Sequence, residues 1–374
     1  MLATGMTQKG HDVQVIRPRI VFAKFAVFGF MKKWLQYIDS LIVFPNRFKK
    51  IVAKSEPNNL FVFTDNALGP WIPIVKDFPN VVHCHDFLAY FSAMGKLPEN
   101  PTSKTGKIYQ NLIIKGFKQA SSFISVSEKT RTDLHGILGQ KPLISEVVYN
   151  GLSPVFKPVD KQLALEKVSQ ICNRDFPNGF ILNIGVNVWY KNKLGLLRIY
   201  NAWRSNHGGK LPLVLIGPSI SDELASLIEK SPFKNDIILL DKLSDDEIIQ
   251  FYSAANLMLF PSLYEGFGWP IAEALACKCP VLTTQEAPMN EVGAEHAYYI
   301  SRMPSDPALK STWATTSAKE LDRVLKVPSE VTATKMKSAL EYVEQFDQNK
   351  AIDKIENIYQ QVLMKHQFKN VDYK

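Results

Sequence analysis

Glu265 and Glu273 stand eight positions apart around a glycine-rich bend, in the run Phe260-Pro261-Ser262-Leu263-Tyr264-Glu265-Gly266-Phe267-Gly268-Trp269-Pro270-Ile271-Ala272-Glu273. The apolar stretch from Leu257 to Phe260 reads as a buried strand, the glycines allow a sharp turn, and Pro270 suits the first position of a helix. A strand that feeds a helix in this way aims backbone N–H groups and the positive end of the helix dipole at one point, a setting that favours phosphate or diphosphate. Carboxylates repel a bare phosphate, yet they accept hydrogen bonds from vicinal hydroxyls. Two of them flanking an anion cradle fit a phosphate joined to sugars, as in a nucleotide-sugar.

Two further constellations carry chemistry. In Phe180-Ile181-Leu182-Asn183-Ile184-Gly185-Val186-Asn187-Val188-Trp189-Tyr190-Lys191-Asn192-Lys193 a strand again ends in glycine, and Lys191 follows six positions later. A lysine so placed can neutralise the charge that grows on a leaving diphosphate, which makes Lys191 the electrostatic catalyst of choice. In Val81-Val82-His83-Cys84-His85-Asp86-Phe87 another strand ends in polar residues, the usual place for ligand contacts in an open α/β sheet. His85 is the stronger candidate there, and His83 lies on the same strand. The plain alternatives are solvated lysines on a loop and a histidine that only closes a structural hydrogen bond.

The bend and its two glutamates closely resemble the glutamate-seven-glutamate motif of retaining group 1 glycosyltransferases, which have the GT-B fold of two facing Rossmann-like domains. The resemblance implies that Glu265 holds hydroxyls of the transferred sugar and Glu273 the nucleotide ribose. Backbone amides of Gly266, Phe267 and Gly268 would line the sugar and diphosphate, and His85 would face the reacting sugar near the domain cleft. The stretch from Gly185 resembles the family's glycine-arginine loop, except that Val186 stands where arginine is usual. That departure removes one bidentate phosphate donor and leaves Asn187 or Lys193 to compensate. Asn150-Gly151 resembles the family's hinge turn, and Glu291-Val292-Gly293 its later C-terminal pattern. Family members begin with a strand and a glycine-rich loop, whereas this chain opens at Met1 inside the following helix, so the N-terminal domain is read as lacking its first strand.

Composition bounds the alternatives. At 374 residues the chain can hold two domains with separate cores, and 46% hydrophobic with 21% charged residues describes a globular protein. The richest apolar stretch, Ile20 to Met31, is broken by Lys24 and closed by Lys32 and Lys33, short of the ~20 apolar residues that span a bilayer. No secretory leader pattern is recognisable. Cys84, Cys172, Cys277 and Cys279 are too scattered for a disulfide framework or zinc cluster and read as reduced thiols of a cytoplasmic protein. The formal net charge is +8, and residues 1–60 alone hold ten basic residues against three acids. There the basic residues interleave with Phe22, Phe25, Phe28, Phe30, Trp34, Leu35 and Phe44, a mixture that suits either an anionic membrane surface or a solvated face over a core. No nucleic-acid module is visible. The polar run from Leu97 to Lys107 reads as an irregular loop, either for acceptor or a plain connection.

The elements that would position these residues alternate between strand and helix, which argues for parallel, doubly wound sheets. The first series is Val13 to Ile16, Leu60 to Phe63, Val81 to Cys84, Ser122 to Val126 and Ile144 to Val148. The second is Phe180 to Ile184, Leu213 to Ile216, Ile237 to Leu240, Leu257 to Phe260, Val281 to Thr283 and Tyr298 to Ile300. Ser127 is placed to cap a helix, and Ser244 with Glu247 forms a capping box. The expected organisation is an N-terminal acceptor-side domain over residues 1–152, a nucleotide-sugar domain over 153–345, and a C-terminal helix over 346–374 that crosses back to the N-terminal domain.

The sequence therefore predicts an α/β protein of GT-B type that moves a hexose from a nucleotide diphosphate sugar to a saccharide or lipid-linked acceptor in cell-surface glycan synthesis. Resemblance implies a retaining, front-face transfer. No cofactor is expected, the nucleotide-sugar being substrate, and no catalytic metal, because no Asp-x-Asp occurs. A dinucleotide oxidoreductase is disfavoured, since Gly266-Phe267-Gly268 is followed by Ile271 where a third glycine belongs. The rivals are a nucleotide-sugar epimerase or sugar-phosphate transferase of the same fold, and a non-catalytic protein that binds a nucleotide-sugar or a partner enzyme.

Overall fold

The computed structural model describes residues 2–25, 28–218 and 220–371, with the side chains of Phe30, Lys33 and residues 369–371 outside that description. The chain divides into two compact units. The first takes in Met1–Lys96, Pro101–Tyr149 and Asn349–Lys374, and the second Leu97–Asn100 and Asn150–Gln348. The change of unit falls between Tyr149 and Asn150, slightly earlier than residue 152.

In the first unit β1 (Phe61–Phe63), β2 (Asn80–Cys84), β3 (Ser122–Ser125) and β4 (Ile144–Val147) pair in that order, all parallel. Successive side chains point to opposite faces, and each face has its own core. Val82, Cys84 and Phe123 join Phe44, Phe48, Ile72, Phe117 and Leu134 on one side. Val81, Ile124, Ile144 and Val148 meet Met6 and the terminal helix on the other, through Ala351, Ile352, Ile355, Ile358 and Val362. Each such fully buried aliphatic or aromatic side chain contributes about 1.5–3 kcal/mol relative to exposure. Helix Glu128–Leu138 starts where the Ser127 hydroxyl accepts the Thr130 N–H at 3.1 Å, and it stops at Gly139, whose φ is +69°.

Two expectations are corrected here, and the weaker histidine of the β2 strand is placed. Val13 to Ile16 forms no regular element and joins no sheet among the described residues, and Val15 is 70% exposed. Apolar alternation makes a strand only where a neighbour supplies the hydrogen-bond ladder, and only Ile16 of this stretch packs against the core. The run from Leu97 to Lys107 is not irregular throughout, because Ser103 caps a helix, Lys104–Phe117, whose inner residues Ile113, Ile114 and Phe117 are buried. His83 is not a ligand group. It is buried, and its Nε2 lies 2.7 Å from the Tyr359 hydroxyl on the terminal helix.

Burial, with repulsion from His85 added, pulls the His83 imidazole down to about 3, so it is neutral in the folded chain. An imidazole whose folded pKa is depressed stabilises the fold above its unfolded value of 6.5 and loses that contribution as pH falls toward 3. Chemical denaturation as a function of pH should show the first unit weakening below about pH 6.5. In His83→Leu that part of the slope should be absent; an unchanged slope would assign the loss to other groups.

In the second unit the order is β10 (Tyr298–Ile300), β9 (Val281–Thr284), β8 (Leu257–Phe260), β5 (Ile181–Ile184), β6 (Leu213–Ile216) and β7 (Ile237–Leu240), again all parallel. Ile181, Leu213, Leu215, Leu257, Leu259 and Leu282 pack on one face against helices Lys193–His207 and Lys310–Leu325. The alternate residues Leu182, Val214, Met258 and Phe260 are also fully buried, as expected of a parallel sheet covered on both sides. The capping box forms: the Glu247 N–H donates to Ser244 Oγ at 3.3 Å and the Ser244 N–H to Glu247 Oε2 at 2.8 Å. Chain order reverses between β5 and β8, because β6 lies on one side of β5 and β8 on the other. At such a switch point the crevice beyond the strand ends is where an open α/β sheet takes its ligand.

Candidate active site

The loops that leave β5 and β8 meet at that switch point and are stitched together. The Leu263 N–H donates to the Tyr190 carbonyl at 2.7 Å, and Asn192 Nδ2 donates to the Pro261 carbonyl at 2.9 Å. Asn192 is left-handed at φ +53°, a conformation asparagine tolerates, and its Oδ1 accepts the Gly195 N–H to start helix Lys193–His207. One asparagine thus fixes the turn, caps the helix and binds the neighbouring loop.

Lys191 and Glu265, remote in sequence, are brought together. Lys191 Nζ donates to Glu265 Oε1 at 2.8 Å, with the side chains only 12% and 9% exposed. The ammonium also lies 4.9 Å from the Phe260 ring centroid. The buried Ser262 hydroxyl is 2.7 Å from the same carboxylate oxygen. Its single proton has carbonyl acceptors at 2.9 and 3.1 Å as well, and the carboxylate offers the shorter, charge-assisted bond. Glu265 Oε2 carries no bond to the protein among the described residues, so the carboxylate is oriented by one oxygen and leaves the other unengaged.

Glu273 sits one turn into helix Trp269–Ala276, where Oε2 accepts the proton of the fully buried Tyr252 hydroxyl at 2.8 Å. Burial raises its carboxyl above the usual range, and the Tyr252 hydrogen bond and Lys191 oppose that rise. The helix begins at Trp269, one residue before Pro270. Gly268, at φ +104°, makes the turn that points its N-terminus toward the loops. The Phe267 ring is buried between Trp269 and Phe346 and anchors the bend.

Gly185 lies beside Lys191, 3.7 Å from a Cβ built on the glycine to the lysine's outer methylenes. Val186 is exposed and Asn187 half-buried, and neither makes a polar side-chain contact among the described residues. Lys193 is different. Its side chain is 4% exposed, yet it has no hydrogen bond or ion pair among the described residues. Its Nζ lies at the end of β6, where a methyl group on Gly217 would come within 3.2 Å of it and 2.1 Å of the Gly185 carbonyl oxygen. Burial, with repulsion from Lys191 added, pulls the Lys193 amine down to about 8. A nearly buried ammonium without an anion is costly.

His85 belongs to the first unit. It is exposed at the end of β2, and its Nε2 lies 2.9 Å from the Thr64 carbonyl, to which it donates. No cluster of three or more His, Cys, Asp or Glu able to hold a metal exists among the described residues, and none of the cysteines forms a disulfide. Burial raises the thiols of Cys277 and Cys279. Sequence reasoning missed Ser262, Asn192 and Tyr252. A serine three residues before the first glutamate was the one signal available for any of them.

Residues 167–328 match the family of group 1 glycosyl transferases. O-antigen chain mannosyltransferase B of Escherichia coli is 34% identical over 116 residues, 30% of each chain. An uncharacterized glycosyltransferase of Methanocaldococcus jannaschii is 23% identical over 82% of this chain and 80% of its own length. In the mannosyltransferases the matched stretch is a minor part, 30% and 26% of their lengths. Among solved structures, Escherichia coli trehalose-6-phosphate protein bound with UDP-2-fluoro glucose superposes with a TM-score of 0.66 at 13% identity, over 87% of this chain and 79% of that one.

Proposed function

Because residues 167–328 match the group 1 glycosyl transferases and the chain has the GT-B fold, we propose that it is a glycosyltransferase that moves a hexose from a nucleoside diphosphate donor to a saccharide or lipid-linked acceptor, as a cytoplasmic enzyme of cell-surface glycan assembly. The observation that carries this reading is the pairing of Lys191 with Glu265 at the switch point of the second sheet. Glu265 Oε2 and the helix N-terminus receive the sugar and diphosphate, Glu273 the ribose, and Lys191 with Lys193 the charge of the leaving group. Lys193 takes over the task of the arginine that Val186 replaces.

Transfer proceeds on one face of the sugar. The bond from the anomeric carbon to the diphosphate oxygen breaks as the acceptor oxygen bonds to that carbon, and the acceptor proton passes to the departing diphosphate. The anomeric configuration is thereby kept without an enzyme nucleophile or a metal, and the protein's contribution is orientation and electrostatic stabilisation. His85 retains the acceptor-side assignment that resemblance gives it. Mannose is the first sugar to test, since named relatives are O-antigen mannosyltransferases.

The test is incubation with GDP-mannose, UDP-glucose or UDP-galactose and a panel of saccharide and lipid-linked acceptors, followed by mass spectrometry and NMR of the product. A glycoside with the donor's configuration is expected. An inverted product would remove the retaining mechanism, an epimerised donor would favour the epimerase reading, and thermal stabilisation by nucleotide without any transfer would favour a non-catalytic role.

A further inference from the structure

Residues 13–55 contain nine lysines and arginines and a single acid, Asp39. That acid is withdrawn from the surface. Its carboxylate is 4% exposed and accepts the backbone N–H groups of Val21, Phe22 and Ala23 at 2.9–3.1 Å. The clamp fixes the loop 20–25 against the continuous helical run 29–52, at its wide turn Asp39–Val43. Trp71 secures the same turn from below by donating its indole N–H to the Ser40 carbonyl at 3.0 Å.

The inner face of this run is already satisfied by Phe44, Phe48 and Val52 in the core. Its outer face is apolar as well. Trp34, Ile38 and Ile42, four residues apart, are 56%, 36% and 58% exposed, and the clamped loop adds Ile20, Phe22 and Phe25 at 67%, 43% and 65%. In the same stretch of chain the exposed Arg17, Arg19, Lys24, Lys32, Arg47, Lys49, Lys50 and Lys54 form no ion pair among the described residues. A row of exposed aromatic and branched side chains in a field of unpaired cations has one matching partner by charge and by chemistry.

We propose that this face seats the chain on a bilayer surface bearing anionic headgroups, with the loop and helix side chains entering the interfacial zone and the lysines and arginines meeting lipid phosphates. Aromatic rings sit well at that depth, and the basic groups gain from the negative surface potential. No described helix is long and apolar enough to cross a membrane, so the attachment is peripheral. It is independent of the sugar site in the second unit.

The experiment is sedimentation of the full chain with phosphatidylcholine vesicles, with and without phosphatidylglycerol, in the absence of any sugar donor. Binding to the anionic vesicles alone is expected, weakening steeply with salt. Brominated lipids should quench tryptophan fluorescence, and Trp34→Phe should remove most of that quenching. Lys24→Glu with Lys32→Glu should lower partitioning roughly tenfold or more, and Phe22→Ser with Phe25→Ser should do likewise; all four positions are exposed, so thermal unfolding should not change. Equal binding to neutral vesicles, no binding, or a self-association that these same variants abolish would each overturn the proposal. The salt and quenching results on the unaltered chain stand even if a variant folds poorly.

Discussion

Glu265→Gln and Lys191→Met are each expected to lower the turnover of sugar transfer by about a hundred- to a thousandfold, the usual effect of removing one preorganised charge from a reacting centre. Each single change also leaves its former partner nearly buried and unpaired, which can cost about 3–5 kcal/mol of stability. Loss of activity alone would therefore not separate catalysis from folding. The double variant does. With both charges gone, the uncharged pair should recover most of the stability, because two desolvated ions are replaced by neutral groups of similar size. Transfer should stay at the level of the worse single variant. Urea denaturation and initial rates on the four proteins check both halves. Near-normal turnover in either single variant would remove the donor-site assignment.

Lys193→Met should stabilise the chain yet weaken its hold on nucleotide by roughly ten- to a hundredfold, the value of a hydrogen bond to a charged group. The signs follow from an amine held at about 8 in the fold against 10.5 when unfolded. The unfolded chain binds more protons between those two values, so stability without nucleotide rises with pH across that window. The charged form is the one that meets a diphosphate, so nucleotide affinity should fall as pH climbs through about 8. In Lys193→Met both dependences should flatten. Calorimetric titration with UDP and GDP at several pH values, beside thermal unfolding, gives the two readouts. Unchanged nucleotide affinity would reduce Lys193 to a buried structural lysine.

Most of the architecture was legible because parallel strands covered on both faces read as short apolar runs, and Leu213 to Ile216 or Leu257 to Phe260 admit little else. Val13 to Ile16 has the same local pattern and failed, since a ladder is a property of two segments and not of one. The site was half legible. The glycine bend is local chemistry, and Glu265 and Glu273 were found from it. The bond between Lys191 and Glu265 was not, because 74 residues separate them and only the switch point of the sheet brings the loops together. The seclusion of Lys193 was hidden for the same reason, as Gly217 belongs to a third segment. Ser262 and Tyr252 act by orienting carboxylates, a task that leaves no spacing signature. His83 and His85 look equivalent in the sequence; His83 lies within the strand Asn80–Cys84 and meets Tyr359 in the core, whereas His85 lies just past the strand's end and is exposed.

The helix Gln348–Val371 has a bearing on how the chain is made. It covers one face of the first sheet, where Val81, Ile124, Ile144 and Val148 receive Ile352, Ile355 and Ile358. On the ribosome, the strands of that sheet emerge long before their cover does, while the second unit closes at Gln348 with all of its own strands already synthesised. The half of the molecule translated first must then mature last, holding an open apolar flank through some two hundred further codons. Such an intermediate is a natural client for chaperones, and a ribosome stalled before residue 349 would present it.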